Sequence, residues 1–162
     1  MTTNERYGLR AARALDLWVK LARAFSTLNH QAEVHIRSFG LTQPQFSVLE
    51  CLGHRGSMTL GELCRKHLVS GGNMTVVVDN LERDGLVERI RSKDDRRQVS
   101  VELTPAGQKL FEKIFPPHAD FITDCANVLA KDEQEQLSTL LKKLGLGIVK
   151  QRCNDHNKEK KD

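Results

Sequence analysis

Apolar residues recur at steps of three and four at both ends of the chain, and they alternate only over a short stretch in the middle. The helical spacing predicts a first helix over residues 6–39 that ends at Gly40. A helix this long cannot be covered on every side by one small domain. Its apolar stripe is therefore either ordinary core or, as we favour, partly a contact with a second subunit. The stripe consists of Trp18, Leu21, Phe25, Leu28, Ala32, Ile36 and Phe39.

Two capping-box patterns predict the next two helix starts. Thr42–Gln45 opens a second helix, with Pro44 tolerated in its first turn, and Gly53 and Gly56 are expected to end that helix. Thr59–Glu62 opens a short third helix. The inward face predicted for the third helix is Leu60, Cys64 and Leu68.

A brief turn over residues 69–73 separates the third helix from a fourth, for which Ser70 is the best N-cap. The fourth helix is expected to end at Gly85. Because two short helices joined by so brief a turn must cross steeply, the pattern predicts a helix-turn-helix. The inward face predicted for the fourth helix is Met74, Val77, Val78 and Leu81.

The second half of the chain begins with two alternating stretches, residues 86–91 and 97–103, which predict an antiparallel hairpin with a charged connection. Thr104 and Pro105 then start another helix. Pro116 and Pro117 are expected to kink or break this helix near Phe115, because neither ring nitrogen carries an amide hydrogen. A last amphipathic helix is predicted over residues 132–150, followed by a polar, frayed tail.

Composition changes this picture little. A chain of 162 residues with 39% hydrophobic and 28% charged residues is typical of one globular domain with a sizeable core. A net charge of +4 permits a nucleic-acid partner without demanding one. No apolar run approaches the roughly 20 residues of a membrane span. The start lacks a signal-peptide pattern, and the 4 cysteines form no C-x-x-C pair, so we expect a cytoplasmic protein.

The stretches GLTQPQFSVLECL and TLGELCRKHLVSGGNMTVVVDNLERDGLVERIRSKDDRRQVSVELTPAG resemble the MarR family of winged helix-turn-helix transcriptional regulators. The most specific parts are LERDGLVER, DDRR and LTPAG. The resemblance implies a mainly α fold with a small antiparallel β-hairpin. A winged helix-turn-helix domain at residues 40–105 would lie between an N-terminal dimerisation helix at residues 1–39 and C-terminal dimerisation helices and tail at residues 106–162.

The resemblance also implies a homodimer on double-stranded DNA. Its two recognition helices would enter successive major grooves of a near-palindromic operator, and its wings would reach the flanking minor grooves. Most members of the family are repressors, and many are released by a small-molecule effector. No cofactor is implied.

The recognition helix of this chain departs from the family pattern. It carries no basic residue before Arg83, and Val76 stands where members of the family often have an arginine. Base recognition must then rest mainly on short polar groups: Asn73 can pair with adenine, and the Thr75 methyl can meet a thymine methyl. The alternative is that Asn73 is an ordinary N-terminal helix residue. The candidate residues on this helix, with the first three near phosphate, are Ser70, Gly71, Gly72, Asn73, Thr75 and Asn80.

Most of the positive charge near this helix lies on the hairpin, or wing. The family's D-x-R pattern matches Asp95 and Arg97, and in that pattern the carboxylate orients an arginine toward DNA. A narrow A·T-rich minor groove suits such an arginine, for which Arg96 is an equal candidate. The alternative is a solvated hairpin tip. The candidate wing residues are Arg89, Arg91, Lys93, Asp95, Arg96 and Arg97.

An effector pocket between the dimerising helices and the DNA-binding lobe is a further implication of the resemblance. Each candidate for its lining also suits plain packing. These candidates are Trp18, Phe25, His30, His35, Phe46 and Phe115.

Other chemistries find little support in the sequence. The 6 histidines include no H-x-x-x-H pattern and no Cys/His cluster, so no metal site is predicted. No G-x-S-x-G, P-loop or H-E-x-x-H pattern predicts an enzyme. Cys51 and Cys64 are expected to be buried and unreactive. The main alternative to a DNA-binding regulator is a winged-helix module for protein–protein contact, which the neutral recognition helix favours and the basic wing opposes.

Overall fold

The computed structural model describes residues 3–67, 71–91 and 99–158. Helices and short strands alternate along them in the order α1 (Thr3–Arg37), α2 (Gln43–Arg55), β1 (Met58–Thr59), α3 (Leu60–His67), α4 (Gly71–Arg83), β2 (Val87–Arg91), β3 (Val99–Leu103), α5 (Pro105–Ala126) and α6 (Lys131–Lys158). The mainly α fold with a small antiparallel sheet is therefore confirmed. Internal contacts divide the chain into two compact units, residues 1–121 and 122–162.

The predicted capping boxes are both present. At the start of α2, the Gln45 amide donates to the Thr42 hydroxyl at 3.4 Å, and the Gln45 side chain accepts from the Thr42 amide at 2.9 Å. At α3, Thr59 and Glu62 make the same exchange at 3.2 and 2.8 Å. The hydrogen bond from the Thr59 backbone lowers the pKa of the Glu62 carboxyl. Each box satisfies amides that a helix start otherwise leaves unpaired.

Gly53 does not end α2, contrary to the sequence prediction. The helix continues to Arg55 and ends at Gly56, whose φ is 74°. Gly53 is instead a close-packing position, because a Cβ there would lie 2.5 Å from the ring of Phe111 on α5. The absence of a side chain lets the two helices approach, so this glycine serves packing between helices.

The two consecutive prolines do not break α5, which runs without interruption from Pro105 to Ala126. The prolines remove two hydrogen bonds to the carbonyls four residues earlier, those of Glu112 and Lys113. Glu112, Lys113 and both prolines are exposed, so water can reach this side of the helix. Of the predicted kink or break near Phe115, the break was therefore wrong.

The core of the first unit lies between α2, α3, α4 and the sheet. The predicted inward face of α4 is confirmed, since all four of its members are buried. The predicted face of α3 was partly wrong: Leu63 is the fully buried residue, whereas Leu60 and Cys64 are half-buried beside it. Leu68 lies outside the described residues.

Strands β2 and β3 form the predicted antiparallel hairpin, in which Val87 is opposite Leu103 and Arg91 is opposite Val99. The structure adds a third strand, because Met58 on β1 is opposite Val101 in the sheet order β1-β3-β2. Two residues are too few to show alternation, so the sequence did not predict β1. The sheet thereby ties the hairpin to the start of α3.

The start of α5 is held against the end of α4. The Thr104 hydroxyl donates to the Gly85 carbonyl at 2.7 Å and accepts from the Gly107 amide at 3.1 Å. A Cβ at Gly107 would lie 1.9 Å from the Leu86 carbonyl oxygen, so only glycine fits this approach. The family-specific stretch LTPAG thus joins the wing to the following helix.

The second unit contains the end of α5 and all of α6. The Gln134 side chain donates to the carbonyls of Ala126 and Leu129 at 3.2 and 3.0 Å, which holds the start of α6 against the connection. Helix α6 extends to Lys158, so the predicted frayed tail after residue 150 was wrong as far as the helix is described. None of the described helices is long and apolar enough to cross a membrane.

Candidate nucleic-acid interface

Helix α4 has one buried side and one exposed side, and the N-terminal part of the exposed side carries no charged residue. Its buried stripe packs into the core, while Asn73, Thr75 and Val76 are exposed near its N-terminal end. Asn80, another predicted site residue, is half-buried. Gly71 and Gly72 form the first turn of the helix, and Ser70 lies outside the described residues. The structure therefore brings the predicted base-contacting residues of α4 together on an accessible surface.

Arg89 on β2 connects the wing to α4 through two carboxylates. Its guanidinium donates to Asp79 Oδ1 at 2.6 Å and to Glu82, whose carboxylate also accepts from the Arg89 amide at 3.3 Å. The Arg89 side chain is only 24% exposed. We name Asp79, Glu82 and Arg89 the carboxylate–arginine cluster. The sequence predicted Arg89 as a DNA contact and missed both acidic partners, which lie seven and ten positions away in the chain.

The carboxylate–arginine cluster affects the charge of the interface. Asp79 and Glu82 are 55% and 39% exposed, and they lie on the helix predicted to enter a DNA groove. Unpaired carboxylates there would repel phosphate. Pairing with Arg89 offsets one of the two charges, and it fixes the wing against α4. Contact between Arg89 and DNA stays a prediction.

The remaining wing residues are placed only in part. Arg91 is exposed at the end of β2. The predicted wing-tip residues Lys93, Asp95, Arg96 and Arg97 lie outside the described residues.

The predicted effector residues fall into three separate places. Trp18, Phe25 and His30 are exposed along α1. Phe115 contacts the His54 ring, with 4.4 Å between the centroids. His35 and Phe46 are brought together, because each contacts the ring of His118 on α5.

His118 is the centre of an aromatic cluster that the sequence did not predict. We name His35, Phe39, Phe46, His118 and Phe121 the histidine–aromatic cluster. The His35 ring is stacked on Phe121 at 4.3 Å between centroids, and Phe46 lies 4.5 Å from His118. His35 Nε2 and His118 Nδ1 are buried with no hydrogen-bond partner. The sequence analysis expected α5 to break before His118. Because the helix continues instead, His118 and Phe121 lie on α5 and contact His35 of α1.

Acidification is expected to destabilise the fold through His118. Burial lowers the pKa of His118 from its usual 6.5, and the neighbouring His35 lowers it further. The unfolded chain therefore takes up this proton at a higher pH than the folded chain does. Stability is greatest above pH 6.5 and is lost as the pH falls through the folded-state pKa. Urea unfolding at pH 7.5 and 5.5 measures this loss.

The His118→Phe variant should reduce that pH dependence, because a phenyl ring preserves the aromatic packing without a titrating nitrogen. His30→Gln removes an exposed histidine of α1 and serves as the matched control. Equal pH dependence in His118→Phe and in the unaltered protein would show that His118 is not responsible.

The described residues offer little support for a metal site or a reactive thiol. Within them, no group of three or more His, Cys, Asp or Glu side chains is placed to hold a metal ion. The prediction that Cys51 and Cys64 are buried was wrong, because both are half-buried with free thiols. Burial, with help from Glu50, raises the pKa of the Cys51 thiol. A raised pKa disfavours the reactive thiolate, in agreement with the interpretation of Cys51 as unreactive.

Comparison with known proteins identifies the family. The family model for MarR matches residues 41–99. The regulator MhqR of Bacillus subtilis (strain 168), an HTH-type transcriptional regulator, is 37% identical over 134 residues, which are 83% of this chain and 92% of MhqR. This match extends well beyond the winged helix-turn-helix into the flanking helices.

Two solved structures share the fold at a similar level of identity. BpsR of Bordetella bronchiseptica, whose DNA binding is regulated by 6-hydroxynicotinic acid, superimposes with a TM-score of 0.71 at 27% identity, covering 80% of this chain and 98% of BpsR. A mutant of MarR from E. coli complexed with operator DNA has a TM-score of 0.69 at 28% identity, and the match covers 80% of this chain and 96% of the MarR chain. The chain belongs to the MarR family of DNA-binding transcriptional regulators, and it is not an enzyme.

Proposed function

We propose that this protein is a cytoplasmic homodimer that binds a near-palindromic operator and represses transcription until a small molecule releases it. The single observation that carries the DNA-binding part is the exposed end of α4, where Asn73, Thr75 and Val76 lie opposite a fully packed face. Because these three side chains are exposed, this face of α4 is open to a partner.

The dimer proposal rests on apolar surface that a monomer would leave in water. Trp18 and Phe25 on α1 are 66% and 67% exposed, and they are seven residues apart, on one side of the helix. In the second unit, Leu140 and Val149 on α6 are each 60% exposed. Exposed apolar surface of this extent is typical of a subunit interface. A homodimer would place two copies of α4 on two half-sites.

The alternative function, a winged-helix module for protein–protein contact, is favoured only by the lack of basic residues on the outward face of the first turns of α4. A gel shift with DNA from upstream of the protein's own gene separates the two functions. The DNA-binding proposal expects a complex that weakens steeply with salt, because wing cations displace counterions from phosphate. A protein that binds neither this DNA nor any duplex from a random pool would be a protein–protein module.

Two substitutions should separate affinity from sequence preference. Asn73→Ala is expected to reduce the preference for the selected site by about tenfold per half-site, the effect of losing one bidentate base contact.

Arg97→Ala should weaken binding to specific and random duplexes alike and lower the slope of log affinity against log salt by about 1 per subunit. Fluorescence anisotropy titrations measure both effects. A dispensable Arg97 would refute this division between wing and helix.

For the effector we propose a small aromatic acid that binds at the histidine–aromatic cluster. Two buried imidazole nitrogens without partners can exchange hydrogen bonds with a hydroxyl or carboxylate, and the surrounding rings suit an aromatic ligand. BpsR responds to a molecule of this class. A thermal-shift titration with 6-hydroxynicotinic acid is expected to raise the melting temperature of the unaltered protein and not that of His118→Phe. An equal shift in both would place the ligand elsewhere.

A further inference from the structure

Val76 lies on the outward side of the recognition helix, opposite its buried stripe. The buried stripe of α4 is centred on Met74, Val77, Val78 and Leu81. With about 3.6 residues per turn, the line opposite this stripe passes through Gly72, Val76, Asp79 and Arg83. Asn73 and Thr75 lie on either side of it. The side chain that projects farthest from the core near the start of α4 is therefore apolar.

Val76 is 56% exposed, whereas every other valine of α4 is buried. An exposed β-branched residue is not favoured in a helix by its intrinsic propensity. Its charged neighbour Asp79 is paired with Arg89, and the nearer residues Asn73 and Thr75 are uncharged. If this surface faces DNA, as proposed above, an apolar group at its centre contributes to binding mainly by meeting another apolar group.

We propose that Val76 is a specificity-determining residue that contacts the 5-methyl group of a thymine in the major groove of each half-site. The thymine methyl is the one apolar group that a standard base pair presents in that groove. Flanked by Asn73, Val76 favours a step in which thymine lies next to the adenine that the amide recognises. This inference rests on the proposed DNA-binding function, and it adds the chemical group that is recognised.

A protein partner is the competing occupant of this surface. The geometry favours DNA because Val76 is a single apolar side chain among polar ones, Asn73 and Thr75, rather than part of a wide apolar patch. Stable protein interfaces have a larger apolar centre. The N-terminal part of a recognition helix is also the part that reaches base edges.

The test begins with selection of duplexes from a random pool by the full-length protein. Each thymine of the selected site is then replaced in turn by deoxyuridine, which removes only the 5-methyl group. At one thymine per half-site the replacement should weaken binding about fourfold, or about fifteenfold when both half-sites are altered, as expected for one buried methyl each. Val76→Ala should bind the thymine and deoxyuridine duplexes within about twofold of each other.

A second substitution in the DNA tests the same contact from the other direction. Replacing the critical T·A pair by C·G should weaken binding, and 5-methylcytosine in place of that cytosine should restore part of the loss, because it returns a methyl group to the groove. Val128→Ala alters an 85% exposed valine outside α4 and should retain full deoxyuridine sensitivity. Circular dichroism checks that each variant is folded.

The outcomes separate the two proposals. Failure to enrich any duplex would overturn the DNA-binding function itself. Enrichment of a site at which no thymine methyl matters would overturn only the role of Val76. A deoxyuridine effect that is as large in Val76→Ala as in the unaltered protein would assign the methyl contact to another residue. That result would also overturn the role of Val76.

Discussion

Arg89→Ala is expected to lower the free energy of unfolding by about 1–2 kcal/mol and to weaken duplex binding by about tenfold per subunit at 0.1 M salt. The stability loss comes from the hydrogen bonds to Asp79 and Glu82, which are charge-assisted but partly exposed to solvent. The binding loss has a separate cause, since two uncompensated carboxylates would remain on the helix that faces phosphate. Urea unfolding and anisotropy titration measure the two effects.

A neutral version of the carboxylate–arginine cluster tests whether Arg89 neutralises the acidic pair or contacts DNA directly. In the triple variant Asp79→Asn, Glu82→Gln and Arg89→Gln, no charge remains to repel or attract DNA. If Arg89 acts by neutralising the acidic pair, the triple variant should bind DNA within about threefold of the unaltered protein. Binding as weak as that of Arg89→Ala would instead mean that Arg89 contacts DNA directly, as the sequence alone suggested.

Phe25→Glu is expected to have the largest effect on DNA binding, a loss of about 100-fold or more. Phe25 is 67% exposed on α1, and in the proposed dimer its ring is buried against the second subunit. A carboxylate at that position would carry an unpaired charge into an apolar contact. A monomer can occupy only one half-site, and it therefore loses the gain from simultaneous binding.

Sedimentation velocity measures the mass of the Phe25→Glu variant, and a gel shift measures its affinity. Phe25→Leu preserves an apolar contact of smaller size and should remain dimeric. A Phe25→Glu protein that stays dimeric and binds DNA normally would remove Phe25 from the interface. Because Phe25 lies on the surface, the substitution should leave the core intact, which circular dichroism checks.

Local chemistry explains why much of the fold could be predicted. The boxes at Thr42 and Thr59 depend on residues three positions apart, and both formed as the sequence indicated. The buried stripe of α4 follows one helical period. The inward face of α3 was harder to predict. In so short a helix, Leu60, Leu63 and Cys64 are all apolar, and their spacing does not show which of them is the most deeply buried.

The features that the sequence could not provide depend on residues far apart in the chain. The pairing of Arg89 with Asp79 joins a strand to a helix, and no local pattern indicates it. The two prolines carry a strong local signal for a break, but Ile114 and Phe115 pack on the core just before them, and the helix continues across the prolines. That continuation is what brings His118 to His35, and it could be seen only in three dimensions.

The most direct test of the interface is the salt dependence of binding to a selected operator and to a scrambled duplex of the same composition. If α4 recognises bases through Asn73, Thr75 and Val76 while the wing supplies the charge, both affinities should fall with the same slope. The specificity ratio would then stay constant within about twofold between 50 and 200 mM salt. A ratio that falls by about tenfold over that range would mean that the specific complex adds ionic contacts, and it would contradict a neutral recognition helix.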